Sequence, residues 1–186
     1  MRSLAAALAA LPILVAACSG GGGQSKSAGT SSEAWRTALL RDVVTGEEFR
    51  ISDLEGKVVA IQAMAISCST CRIQQGEAQA ALQEVDSPDV VYISLDVDPN
   101  EREADLAAYS EREGFTWRFA VASPEVSRSL AATFGDQILS PPATPLVILG
   151  PDGTLIEKHI GIRPPTTWRR CSGSIYRDRN IESVPC

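Results

Sequence analysis

Apolar and polar positions alternate in blocks along this chain, and the blocks read as strands and helices in turn. Val58 to Ile66 is apolar except for Gln62, the pattern of a central strand covered on both faces. Upstream, Thr45-Gly46 marks a turn between short strand-like pieces. Downstream, Ser69 or Thr70 caps a helix that runs to about Val85, with Ile73, Gly76, Ala80 and Leu82 as a weak apolar face. Val90 to Val97 predicts a second buried strand. Pro99 to Glu113 predicts an amphipathic helix with Leu106, Ala107 and Tyr109 inward and Gly114 as its stop. A short strand follows over Trp117 to Val121, then a helix from Pro124 to near Gly135. The body closes with a hairpin, Leu146 to Leu149 and Leu155 to Ile160, turning at Pro151-Asp152-Gly153. Strands alternating with helices and ending in a hairpin argue for an α/β fold with a mixed sheet.

Both ends depart from this pattern. Met1-Arg2 and the apolar run Leu4 to Ala17 read as a secretory signal, too short for a permanent membrane span. The run ends in Val15-Ala16-Ala17-Cys18, which resembles the bacterial lipobox and implies that Cys18 is lipidated. A Gly/Ser tether follows directly. An acylated Cys18 places the chain on the extracytoplasmic face of a bacterial membrane, where disulfides persist. At the other end, residues 163 to 186 have little apolar periodicity and a basic shift, the pattern of an irregular tail.

Composition narrows the classes. The chain has 186 residues, 44% hydrophobic and 22% charged, with a formal net charge of -6. That suits one domain with appendages and gives no reason to expect nucleic-acid binding. With Cys18 assigned to lipid, Cys68, Cys71, Cys171 and Cys186 remain.

The chemistry centres on Cys68-Ser69-Thr70-Cys71, at the junction of a buried strand and a helix. A thiol at a helix N-terminus is favoured as thiolate by unpaired N–H groups and the helix dipole. Cys68 would then attack a disulfide, and Cys71, one turn on, would resolve the mixed disulfide. A zinc site lacks ligands, since His159 is the sole histidine and no second CxxC is present. A structural staple closing so short a loop restrains little of the unfolded chain. The residues favour redox exchange over metal binding, and metal binding over a staple.

The stretch "SDLEGKVVAIQAMAISCSTC" resembles the exported thioredoxin-like TlpA/ResA-type thiol–disulfide oxidoreductases, and "ATPLVILGPDGTLIEKHIG" resembles that family's second signature. The resemblance covers about residues 38 to 161. It implies a thioredoxin-like fold: a central mixed sheet flanked by helices, with an N-terminal strand extension and an insert over Pro99 to Gly135. With the two ends as read above, the chain divides into a signal peptide at 1–17, a lipid-anchored Gly/Ser tether at 18–35, the domain at 36–162 and the tail at 163–186. The resemblance implies further that Pro145 is cis beside the CxxC, with Thr144 presenting its backbone to a bound peptide. It implies no cofactor. As partners it implies exported protein thiols, including apocytochrome c, and a membrane thiol-reductant donor.

Two positions and the tail depart from the family. Ser67 stands where Trp is common, and Gln62 stands where many thioredoxins bury an acid, leaving water or a carboxylate such as Glu77 to serve Cys71. The tail does not resemble the family's closing helix: either it is an extension stapled by Cys171–Cys186, or it leaves the sheet uncovered. Two other classes compete. A copper-binding assembly factor of the Sco/SenC type shares the fold but uses CxxxC and a His where this chain has "SPPAT". A peroxiredoxin-like peroxidase needs Thr where Ala65 stands. A non-catalytic lipoprotein is the remaining reading should the disulfide be inert.

Overall fold

The computed structural model describes residues 33–164. The signal, Cys18 and most of the linker, together with Cys171, Cys186 and the tail from 165 onward, lie outside the described residues.

A short helix α1 (Ala34–Thr37) leads into a two-stranded antiparallel hairpin, β1 (Leu40–Arg41) and β2 (Glu48–Phe49), closed around the expected Thr45-Gly46 turn. Gly46 takes φ 79°, which its missing Cβ permits. Trp35, assigned by the sequence to the linker, is completely buried and packs edge-on against Phe134. The folded part therefore begins before residue 36.

A turn of 3₁₀ helix (Ile51–Leu54) delivers the chain to β3 (Val58–Met64), all seven residues of which are buried. Next come α2 (Ser69–Val85), β4 (Val90–Asp96), α3 (Glu103–Glu113), β5 (Arg118–Val121) and α4 (Pro124–Phe134). The last described elements are β6 (Leu146–Leu149) and β7 (Leu155–His159). The five-stranded sheet has the order β5-β4-β3-β6-β7, with β3, β4 and β5 parallel and the closing hairpin antiparallel.

Alternation along β3 sorts the core. Val59 and Ile61 join Ile93, Leu95, Val147, Leu149 and the α4 residues Val126, Leu130 and Phe134 on one face. Val58 and Ala60 join Tyr92, Leu146, Ile148 and the α2 residues Ala78 and Ala81 on the other. At the C-terminal end of β3, Met64 and Ala65 meet both cysteines and an aromatic group from α3, β5 and the connection between them: Tyr109, Phe119 and Phe115.

Three local expectations are corrected. The cap of α2 is Cys68 rather than Ser69 or Thr70, which already lie in the first turn. The inward positions of α2 are Cys71, Gln74, Gln75, Ala78 and Ala81, whereas Ile73 is 51% exposed. That spacing is helical, but two of its five positions are glutamines whose amides are satisfied inside, so a hydrophobic reading passes over them. Helix α3 starts at Glu103 rather than Pro99. The Asp96 and Asp98 side chains accept the N–H groups of Asp98 and Asn100, both at 2.9 Å, and hold a turn there instead.

The last described residues are packed rather than loose. Arg163 is buried; its backbone N–H donates to Gln74 Oε1 and its guanidinium pairs with Glu157.

Candidate active site

Cys68 and Cys71 form a disulfide with Cα atoms 5.2 Å apart, at the point where the chain leaves β3 and enters α2. Cys68 has extended backbone angles (φ -83°, ψ 103°), and its Sγ accepts the Cys71 N–H at 3.0 Å. A sulfur in the capping position meets a free helix N–H and the positive end of the dipole, which favour thiolate once the bond is reduced. Cys68 is 8% exposed and Cys71 is 0% exposed. Of the two, only Cys68 retains any exposure.

Two carbonyls border the pair from outside α2. Cys71 Sγ lies 3.1 Å from the Pro141 oxygen, a position where the reduced thiol can donate. The Thr70 hydroxyl donates to the Pro142 oxygen at 3.1 Å and sits 3.3 Å from Cys68 Sγ. Pro141–Ala143 form a 3₁₀ turn that ends at Thr144 in the left-handed region, φ 47° and ψ 56°. The expected cis bond before Pro145 is not found; no cis peptide occurs among the described residues. The reversal is made instead by Thr144, a β-branched residue before proline in a conformation that costs such a residue energy. Thr144 is buried, and the Pro145 oxygen accepts the Ala63 N–H at 3.3 Å, which locks this segment to β3. Of this segment, the Pro141 oxygen meets Cys71 Sγ directly, and the Pro142 oxygen is linked to Cys68 Sγ only through the Thr70 hydroxyl.

Behind the disulfide lies an uncharged polar network. Gln62, fully buried on β3, donates to the Cys71 carbonyl at 3.2 Å and accepts from the Tyr92 hydroxyl at 2.6 Å. Gln75 donates to Ser94 Oγ and lies against Met64 Sδ, each at 3.1 Å, while Tyr109 donates to its oxygen. Trp117 adds an indole donor to Ser94 at 2.9 Å. Burial pushes Tyr109 up to about 12 and Tyr92 well above its ordinary value, so both stay neutral donors.

The carboxylate that touches the site loop is Glu101, not Glu77. Glu101 accepts the Ile66 N–H at 2.6 Å and the Ser67 N–H at 3.3 Å, directly before Cys68. Its neighbour Asp96, fully buried at the end of β4, is paired in register with Met64. Burial first, and then the Glu101 carboxyl, push Asp96 up to about 8. Sequence reasoning missed both acids. The available signal was "SLDVDPNE", acids clustered where a parallel strand ends beside the strand that carries CxxC.

His159 stands on β7 with Nδ1 3.6 Å from Glu157. Among the described residues no cluster of three or more His, Cys, Asp or Glu side chains is arranged to hold a metal ion. No described helix is long and apolar enough to cross a membrane.

No family model and no curated protein matches the sequence. Solved structures do match the fold. A thioredoxin-family thiol:disulfide interchange protein from Chlorobium tepidum aligns with TM-score 0.62 and 17% identity, covering 74% of this chain and 91% of that one. The thioredoxin domain of a thiol-disulfide oxidoreductase from Bacteroides vulgatus gives TM-score 0.58 and 15% identity, over 74% and 91%. The ScoI protein of Arabidopsis thaliana, with copper bound, gives 0.59 and 14%, over 75% and 95%. The chain has a thioredoxin-like fold.

Proposed function

We propose that this chain is an extracytoplasmic thiol–disulfide oxidoreductase, tethered through Cys18 and reducing disulfides of exported proteins. The observation that carries the reading is the asymmetry of the pair: a Cys68 that keeps slight exposure and whose sulfur caps a helix, joined to a Cys71 with none. In the reduced form the Cys68 thiolate attacks one sulfur of a client disulfide. A mixed disulfide forms, and the departing client thiolate takes up a proton. Cys71, as thiolate, then attacks Cys68 Sγ and releases the second client thiol. The client gains two electrons and the chain ends as the observed disulfide. A membrane thiol carrier restores the dithiol, and apocytochrome c is one client class.

The test is exchange with a protein disulfide. Cys68→Ser abolishes turnover, whereas turnover that survives in Cys68→Ser removes the mechanism. The tether is tested separately: Cys18→Ser moves the protein from the membrane to the soluble fraction, and unchanged fractionation rejects that part.

A second reading, copper binding of the Sco type, draws on the likeness to the copper-bound Arabidopsis protein. A thiolate-to-copper charge-transfer band saturating at one equivalent would favour it over exchange.

A further inference from the structure

The chain leaves β3 at Met64 and reaches Cys68 through Ala65, Ile66 and Ser67. Two of that loop's backbone donors end on one side chain, Glu101, which comes from the β4–α3 connection 35 residues after Ile66. That connection is itself tied down. The Asp98 N–H donates to Asp96 Oδ1 at 2.9 Å, the Glu101 N–H donates to the Asp98 oxygen at 3.3 Å, and the Val97 N–H donates to the Met64 oxygen at 3.0 Å. Asp96 Oδ2 is buried with no donor among the described residues, and the Glu101 carboxyl lies within hydrogen-bonding reach of Asp96. Two carboxyls so placed require a proton between them, or one must withdraw.

Among the described residues no cation pairs with either carboxyl; Arg102, next to Glu101, is held by Asp105 at 2.9 Å. From their own connection Asp98 faces Asp96, adding negative charge. From α3 comes Tyr109, neutral, with Arg112 against its ring and Glu113 and, from α2, Arg72 acting on it. Arg72 and Arg112 are both drawn to Glu113, at 3.8 and 3.2 Å. On the β5 side, Asp42 is occupied by the Phe119 and Val44 N–H groups and the Thr45 hydroxyl. Burial and Glu101 hold Asp96 protonated up to about 8, so the shared proton is present at neutral pH and lost above it.

We propose that Asp96 and Glu101 are a proton-sharing positioning pair for Cys68. With one proton between them, Glu101 keeps its grip on the Ile66 and Ser67 N–H groups. With none, the two charges repel, Glu101 lets go of the loop, and negative charge accumulates beside the Cys68 thiolate and disfavours it. Neither acid touches the reacting sulfurs. This rests on Cys68 being the nucleophile, and its test reads the loop and the thiol directly, without turnover.

In the reduced protein, the Asp96 carboxyl carbon and the Ile66 and Ser67 amides are followed by NMR against pH. All three are expected to move together with a midpoint near 8. Cys68 alkylation by iodoacetamide, mapped peptide by peptide to separate it from the other four cysteines, is expected to show two steps against pH. Asp96→Asn, whose amide keeps a donor to Glu101 without titrating, leaves one step and fixes the two amides. Glu101→Gln likewise leaves one step. An Asp96 carboxyl that titrates near 4, amides that ignore it, or two alkylation steps retained in Asp96→Asn each overturn the pair. The wild-type titration needs no variant to fold. Co-titration in a protein that exchanges no disulfides would leave the pair standing and remove the proposed reaction instead.

Discussion

Replacing Gln62 with Leu tests whether the neutral network behind Cys71 is a coupled unit. Gln62 makes two buried hydrogen bonds, to the Cys71 carbonyl at 3.2 Å and from the Tyr92 hydroxyl at 2.6 Å. The Cys71 carbonyl lies inside α2, where the helix ladder also serves it, so losing the amide donor costs it little. The Tyr92 hydroxyl loses its Gln62 acceptor while fully buried, a desolvation penalty of about 1–3 kcal/mol. Gln62→Leu is therefore expected to destabilise the oxidised protein by about 2 kcal/mol, and Tyr92→Phe by about 1–2 kcal/mol because it strands the Gln62 oxygen. The double variant leaves no stranded partner, so its cost should fall below the sum by about 1 kcal/mol or more. Urea denaturation gives the three values, provided the slope with denaturant stays constant. Strict additivity would show that the two residues act independently and would refute the network.

Stability itself should depend on pH. The folded protein keeps a proton on Asp96 up to about 8, whereas the unfolded chain releases it near 3.8. The Asp96 contribution is therefore full below that lower value and is lost as pH rises towards 8, by at most about 1.4 kcal/mol per unit for one proton. Asp96→Asn should flatten the thermal midpoint across that range; an unchanged slope contradicts the assignment. Asp152, exposed and held below its ordinary value by Thr154, acts only in the acid limb. The corrected face of α2 is checked by two changes. Ile73→Ser should shift stability by less than about 0.5 kcal/mol, and Ala78→Leu should overpack the core at a cost of about 1–3 kcal/mol. The reverse ranking would restore the sequence-derived face.

The sheet was legible because β3, β4 and β6 are mostly apolar runs and are punctuated by Gly114, Ser123-Pro124 and Pro151-Asp152-Gly153. Cys68 and Cys71 were legible because strand, CxxC and helix follow one another in the chain. What escaped depends on contacts between distant segments. Gln74 and Gln75 look like surface residues until Arg163, Tyr109 and Ser94 are brought to them. The reversal at Thr144 is set by the 3₁₀ turn before it and the β3 pairing after it, not by the Thr-Pro dipeptide alone. Glu101 acts on a loop 34 residues upstream of it, at Ser67, and only the parallel register of Met64 with Asp96 places it there.

The central claim is that Cys68 attacks and Cys71 resolves, and trapping tests it most directly. Reduced Cys71→Ser protein, mixed with a disulfide-bonded client, should accumulate one mixed disulfide that peptide mapping places at Cys68. A trapped adduct on any other cysteine, or none at all while the protein remains folded, contradicts the account.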